Sequence, residues 1–235
     1  MPNSYFRFKQ FTINQDKCPF KVGTDGVLLG ACADVTGRKR ILDIGTGTGL
    51  IALMLAQRCD SEITAIEPAH EPYSQASENF TMSKWSGRIR IENCTLQDFN
   101  PESGFDLIVS NPPYFIDSLK NPDPAKSNSR HNDSLAHSDI LAGAHRLLFE
   151  DGLLQVIMPY DEGNIFIAEA EEHGFYSNSI LKIRPLPSSE IRRMIIGFTR
   201  KRIKPAERFL TIEKGKRHQF TEEYIRLMKD FYLKF

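Results

Sequence analysis

The chain has 235 residues, 40% of them apolar and 26% charged, with a formal net charge of zero. That length suits one well-cored domain with at most a small appendage, and the composition is that of a globular chain, not a disordered one. No apolar run approaches the ~20 residues of a membrane helix, Met1–Phe11 lacks the apolar stretch and cleavage site of a secretory leader, and Cys18, Cys32, Cys59 and Cys94 form no C-x-x-C pair that would suggest zinc or a disulfide framework.

The expectation is therefore a cytoplasmic protein with reduced cysteines, no bound metal and no membrane association. Zero net charge conceals an asymmetry. Residues 182–235 hold 15 lysines and arginines against 6 acids, a balance of +9, and residues 1–181 carry the compensating −9. A basic end on an acidic body points to a polyanionic partner, although a solvated basic surface would look the same.

Residues 1–35 precede the first βα unit; within them Thr24-Asp25-Gly26 followed by Val27–Cys32 reads as a capped short helix. Arg40–Ile44 is a short apolar strand, Leu50–Arg58 a buried helix and Glu62–Glu67 a second strand. Glu71–Ser83 is a helix with Pro72 near its start, where the missing N–H costs little. Ile89–Asn93 and Phe105–Ser110 are the third and fourth strands. Residues 111–133 are a long polar stretch, of the kind that serves as a lid or binding loop. Ser134–Leu148 reads as a helix, Gly152–Met158 as a fifth strand and Gly163–Glu172 as another helix. Strands follow at Ser179–Arg184 and Arg192–Thr199, then a final helix, Thr221–Leu233, with Tyr224, Met228, Phe231 and Tyr232 on one face. Such alternation predicts an α/β fold with a mostly parallel sheet. The expected organisation is one domain over residues 1–235, with residues 1–35 as an extension and 182–235 as its basic C-terminal part.

Gly45, Gly47 and Gly49 form a loop between the first strand and its helix. Glycines permit a sharp turn and close backbone approach to a ligand, and the helix N-terminus offers free N–H groups. Leu50 stands where the dinucleotide fingerprint needs its third glycine, and no Gly-Lys-Ser/Thr follows, so neither that fingerprint nor a phosphate loop is present. Asp43, just before the turn, would repel a pyrophosphate and attract an ammonium group. That favours S-adenosylmethionine, whose methionine end carries an amino group. Glu67 ends the second strand at the offset where an acid binds ribose hydroxyls. Asp98, after the third strand, could accept from an adenine amino group.

Asn111-Pro112-Pro113-Tyr114 follows the fourth strand. An exocyclic aromatic amine is a poor nucleophile because its lone pair is delocalised. The Asn111 side-chain oxygen and the Pro112 carbonyl would accept its two hydrogens and draw the nitrogen towards a tetrahedral shape as a methyl group arrives. Pro112 and Pro113 stiffen the corner, and Tyr114 offers a flat face for an extruded base.

Together these residues resemble the class I S-adenosylmethionine-dependent methyltransferases and, more narrowly, the amino-methyltransferases with an Asn-Pro-Pro-Tyr motif. Within that branch the chain is similar to the bacterial family that methylates N6 of adenine 37 in a valine tRNA. Phe8-Lys9-Gln10-Phe11, the run Lys21–Gly30 and Phe231-Tyr232-Leu233 share in the likeness. The resemblance implies a Rossmann-like seven-stranded sheet with a C-terminal antiparallel hairpin. It implies cofactor contacts from Asp43, Gly45, Gly47, Glu67, Asp98 and Asn111, with Gly49 in the same loop and Lys21 and Thr24 in a segment that closes over the cofactor. Pro68, directly after Glu67, removes one backbone donor there.

Arg130 and His131 could hold a phosphate beside the base, and Lys214, Lys216 and Arg217 form a basic cluster suited to tRNA; a second lies at Arg200, Lys201, Arg202 and Lys204. Phe6, Phe8, Phe11 and Trp85 read as packing and His137 as structural. No obligate protein partner is indicated. The leading expectation is a tRNA adenine-N6 methyltransferase. A protein glutamine methyltransferase, an rRNA or DNA amino-methyltransferase and a non-catalytic RNA-binding module remain rivals.

Overall fold

The computed structural model describes residues 3–113 and 135–235. The chain opens with an antiparallel hairpin, β1 (Tyr5–Arg7) and β2 (Thr12–Asn14), followed by α1 (Thr24–Cys32). β3 (Arg40–Ile44), α2 (Leu50–Arg58), β4 (Glu62–Ile66), α3 (His70–Thr81), β5 (Ile89–Glu92) and β6 (Phe105–Ser110) come next. Then follow α4 (His137–Leu147), β7 (Leu148–Pro159), α5 (Tyr160–Glu172), β8 (Tyr176–Arg184), β9 (Arg193–Thr199), β10 (Ala206–Thr211) and α6 (Glu222–Met228).

β3 to β10 form one eight-stranded sheet in the order β10-β8-β9-β7-β6-β3-β4-β5. Neighbours pair parallel except at β9, which runs against both β7 and β8. The expected mostly parallel sheet with an antiparallel hairpin is therefore present, with one strand more than the seven implied by resemblance. The addition is β10, which pairs parallel with β8 at the edge. Its residues Glu207, Arg208 and Phe209 are exposed, so it lacks the apolar alternation that marks a strand. Lys182 pairs with Glu207 at 2.6 Å across this edge.

Central strands buried on both faces read as continuous apolar runs. Along β3, Ile41 joins a core with α1, α2, α6 and the N-terminal hairpin, while Leu42 and Ile44 join a second core with α4 and α5. Alternation places Asp43 on the face of Ile41, under α2. Phe8 and Phe11 belong to the first core, as does Trp85, in keeping with their reading as packing.

Several details differ from expectation, among them one cap and two boundaries with identifiable causes. α1 is preceded by Gly23 and has no side-chain cap. β7 begins at Leu148, which pairs with Phe105 before a register shift. α6 stops at Met228 because Lys9 draws the chain end onto the hairpin: its N–H donates to Phe231 O at 2.8 Å and its Nζ to Phe235 O at 2.7 Å. Tyr224, Met228 and Phe231 are buried as expected.

Strand order reverses between β3 and β6. β4 and β5 lie on one side of that junction and β7 on the other. In open α/β sheets, ligands bind in the crevice outside the carboxyl ends at such a reversal.

Candidate active site

Register brings the carboxyl ends of four strands to one level. Ser110 lies beside Ile44, Ile44 beside Ile66, and Ile66 beside Glu92. The next residues along are Asn111, Gly45, Glu67 and Asn93, so the Asn111-Pro112 segment and the glycine loop leave adjacent strands side by side. Ser110 Oγ donates to Ile44 O at 3.1 Å and ties the two ends together.

Gly45, Gly47 and Gly49 all adopt positive φ, at 68°, 57° and 81°. Their surroundings differ. A Cβ on Gly45 or Gly47 would meet nothing within 4 Å, so the loop faces open space there. A Cβ on Gly49 would lie 2.4 Å from Phe80 Cε1, so that glycine admits α3 against the loop. The N–H groups of Gly45 and Thr46 donate to Ile66 O at 3.0 and 3.2 Å.

Asp43 has no solvent exposure. Its Oδ2 accepts from Thr46 Oγ at 2.6 Å, while Oδ1 is buried without a partner among the described residues. Burial pushes its pKa up to about 7; the Thr46 hydroxyl and the Ala52 amide in the first turn of α2 pull it down, and the charge of Glu67 adds to the rise. A carboxylate short of a partner beside an open glycine cradle fits a ligand carrying an ammonium group.

Glu67 is 8% exposed and already engaged. Its Oε2 accepts from Gly47 N–H at 2.9 Å and its Oε1 from Ala69 N–H at 3.1 Å. An ionised carboxylate has about four acceptor positions, so capacity for ribose hydroxyls remains. Asn93 Nδ2 donates to the carbonyls of Glu67 and Pro68 at 2.8 and 3.0 Å, stitching the ends of β4 and β5. Asp98 is exposed in the turn after β5 and accepts from Thr95 Oγ at 2.7 Å.

The N-terminal segment is tied to this loop by residues that sequence reasoning passed over. Asn79, on the buried face of α3, donates to Thr48 O and Asn14 O, each at 2.9 Å, and accepts from Asn14 N–H. Lys21 Nζ donates to Gln15 O and to Cys18 O, which makes it a staple of its own segment. Thr24 opens α1 and lines a cleft with Arg192 and Arg193. The only signal for Asn79 in the sequence is its place, with Gln75, among the apolar residues of one helix face.

Asn111 is half-buried, Pro112 buried and Pro113 exposed. Tyr114, Arg130 and His131 lie outside the described residues. Lys214, Lys216 and Arg217 are exposed on a turn closed by the Glu213–Phe220 bridge, and Lys214 Nζ lies 3.7 Å from Glu222. The cluster around Arg200 is elsewhere: Arg200 donates to His145 O and Phe149 O at 2.7 and 2.9 Å, at the amino edge of the sheet opposite Asn111. His137 Nδ1 lies 2.9 Å from Glu169 Oε2, and its ring stands edge-on to Phe166.

The fold is that of methyltransferases. It superposes on a predicted O-methyltransferase from Agrobacterium tumefaciens with TM-score 0.65 at 20% identity, covering 88% of this chain and 96% of that one. A ribosomal protein L11 methylase from Lactobacillus delbrueckii matches with TM-score 0.52 at 21% identity over 75% and 78% of the two chains. A family model for the methyltransferase small domain matches residues 22–164, and the chain belongs to that family. It is 46% identical to the tRNA1(Val) (adenine(37)-N6)-methyltransferase of Phocaeicola vulgatus over 99% of each chain. With the protein of the same name from Trichodesmium erythraeum, identity is 44% over 100% of each.

Proposed function

We propose that the chain transfers a methyl group from S-adenosylmethionine to the exocyclic N6 of an adenine in tRNA, namely adenine 37 of a valine tRNA. The observation that carries this reading is the Asn111-Pro112 pair, one residue beyond Ser110, whose register and hydrogen bond to β3 set it against the glycine loop. The full-length relatives named for that reaction support the choice of nucleotide.

S-Adenosylmethionine supplies an electrophilic methyl group on a sulfonium. Gly45 and Gly47 would leave room for its amino-acid end while Gly49 seats the loop against Phe80, and Asp43 would take the ammonium from beneath the loop. Glu67 would accept from the ribose and Asp98 from the adenine amino group. Lys21 and Thr24 hold the N-terminal segment beside it. The Asn111 side-chain oxygen and the Pro112 carbonyl accept the two N–H bonds of the target amine, which restores its lone pair for attack. With the cofactor bound, its methyl group would pass from sulfur to the amine nitrogen, and the surplus proton would pass to water. Tyr114 stacks the extruded base; Arg130, His131, Lys214, Lys216 and Arg217 contact RNA phosphates. With tRNA as substrate, the place of action is the cytoplasm.

The test is incubation with labelled S-adenosylmethionine and, separately, unmodified tRNA, ribosomal RNA, DNA and release-factor protein, followed by nucleoside analysis. N6-methyladenosine at position 37 of a valine tRNA is the expected product. Label in protein alone transfers the assignment to glutamine methylation, and label in ribosomal RNA or DNA alone transfers the substrate.

A further inference from the structure

The cleft lined by Thr24 lies on the same carboxyl edge of the sheet as Asn111, and of its lining only Thr24 has a part in the proposed reaction. Its volume is about 310 Å³. Leu28, Ile183 and Ile212 give it an apolar floor, and Arg192 and Arg193 stand at its rim. One wall is the first turn of α1. The next residue of that turn packs against the glycine-loop helix, since a Cβ on Gly26 would sit 3.1 Å from Leu50 Cδ2. The cleft and the cofactor loop are thus neighbours across α1.

Register fixes the path between cleft and corner. Ser110 of β6 pairs with Val156 of β7, and Pro159, three residues on, pairs with Arg193 of β9. At sheet spacings that puts Arg193 about 10 Å across from β6 and ~10 Å further along the strand direction. A few nucleotides of single strand bridge that gap.

The two arginines do different work. Arg193 is half-buried and held: its Nε donates to Asp25 Oδ2 at 2.9 Å and its Nη1 to Arg192 O at 3.0 Å. Arg192 has a fixed backbone, its N–H donating to Ile183 O at 2.8 Å and its carbonyl accepting from Tyr160 N–H at 3.2 Å. Its guanidinium is exposed, with no partner among the described residues. A planar cation on a fixed stretch of backbone, lining the same cleft as an apolar floor, matches a nucleotide: the base lies on the floor and the phosphate takes the guanidinium. The volume is at the lower end for ligand pockets, enough for one base. Beyond Ile212 the chain enters the turn that carries Lys214, Lys216 and Arg217, so positive charge continues away from the cleft.

We infer that this cleft is a subsite for a nucleotide of the RNA strand that flanks the methylated adenine, with Arg192 holding its phosphate. The inference rests on RNA being the substrate. Its closing experiment reads equilibrium binding of unmodified tRNA separately from methylation, for wild type, Arg192→Ala, Arg192→Lys and Lys201→Ala. Lys201 pairs with Asp151 at 2.6 Å at the opposite edge and serves as the charge control. Arg192→Ala should weaken tRNA binding about tenfold, as loss of one charge-assisted contact does, and lower the slope of log affinity against log salt by about one. Arg192→Lys should recover part of the affinity and most of the slope, Lys201→Ala should change neither, and adenosylhomocysteine binding should be unaffected throughout. Photo-crosslinking of thiouridine-substituted tRNA should label peptides containing Thr24–Leu28 or Ile183–Arg193. If wild type methylates tRNA but Arg192→Ala binds it as wild type does, with no crosslink to those peptides, the subsite is wrong and the function stands. If Arg192→Ala weakens binding in a protein that methylates no RNA, Arg192 is an RNA contact but the function falls, and with it the placing of the cleft beside a methylated adenine. If wild type binds no tRNA, both fall.

Discussion

Asp43 is wholly buried, with one oxygen on Thr46 and the other without a partner among the described residues, and burial holds its pKa near 7 against a usual 3.8. A carboxyl whose pKa rises on folding favours the folded state at low pH. As pH climbs from about 4 to about 7, the unfolded chain ionises first and this contribution is lost. Asp43→Asn keeps the shape and cannot ionise, so its unfolding free energy should fall less between pH 5 and pH 8 than that of wild type, and the variant should be the more stable at pH 8. Parallel urea titrations at the two pH values check this; identical slopes would mean that Asp43 is already ionised and satisfied. Asn111 gives the complementary prediction. It is half-buried at a strand end, so Asn111→Ala should leave the melting temperature nearly unchanged. On the proposed mechanism it removes one of the two acceptors for the amine, and kcat should drop by roughly 10²–10³-fold. Turnover near wild type in a folded variant would remove Asn111 from the mechanism.

The glycine loop acts through two glycines with opposite surroundings. Gly49→Ala forces a Cβ to within 2.4 Å of Phe80 at a φ of 81°, so it should destabilise the fold by about 2–4 kcal/mol in urea unfolding. Gly47→Ala meets nothing within 4 Å, so its folding penalty should be only the ~1 kcal/mol of a left-handed alanine. Its methyl group enters the cofactor space, and calorimetry should show adenosylhomocysteine affinity falling at least about tenfold. A Gly47→Ala protein that binds the ligand normally would place the cofactor elsewhere. The glycine loop was legible in the sequence because its chemistry is local: glycines stand where φ must be positive. β3, α2 and β6 were legible too, to the residue, because burial on both faces makes their apolar runs continuous. β10 was hidden by its exposed Glu207 and Arg208, and the early end of α6 is set by Lys9, more than two hundred residues away in sequence. Asn79, Asn93 and Arg192 draw their roles from tertiary neighbours, and no local pattern announces such roles.

Across the whole molecule, the basic C-terminal portion is not one patch. β9 runs against its neighbours and divides the charge between two edges of the sheet. Arg200, at the amino edge, is spent on the carbonyls of His145 and Phe149, while Arg192, Lys216 and Arg217 are exposed at the carboxyl edge with the glycine loop and Asn111. The net +9 of residues 182–235 is thus shared between two edges, and only part of it stands beside the glycine loop. The same edge carries the reversal of strand order, where a cofactor and an amine can meet. The most direct measurement is a crystal structure of the protein with S-adenosylhomocysteine. The expected complex has the amino-acid end over Gly45 and Gly47 beside Asp43, the ribose within about 3.2 Å of Glu67, and the sulfur turned towards the Asn111 side chain and the Pro112 carbonyl. A ligand lodged away from the junction of β3 and β6, or one whose sulfur points away from Asn111, would contradict the account.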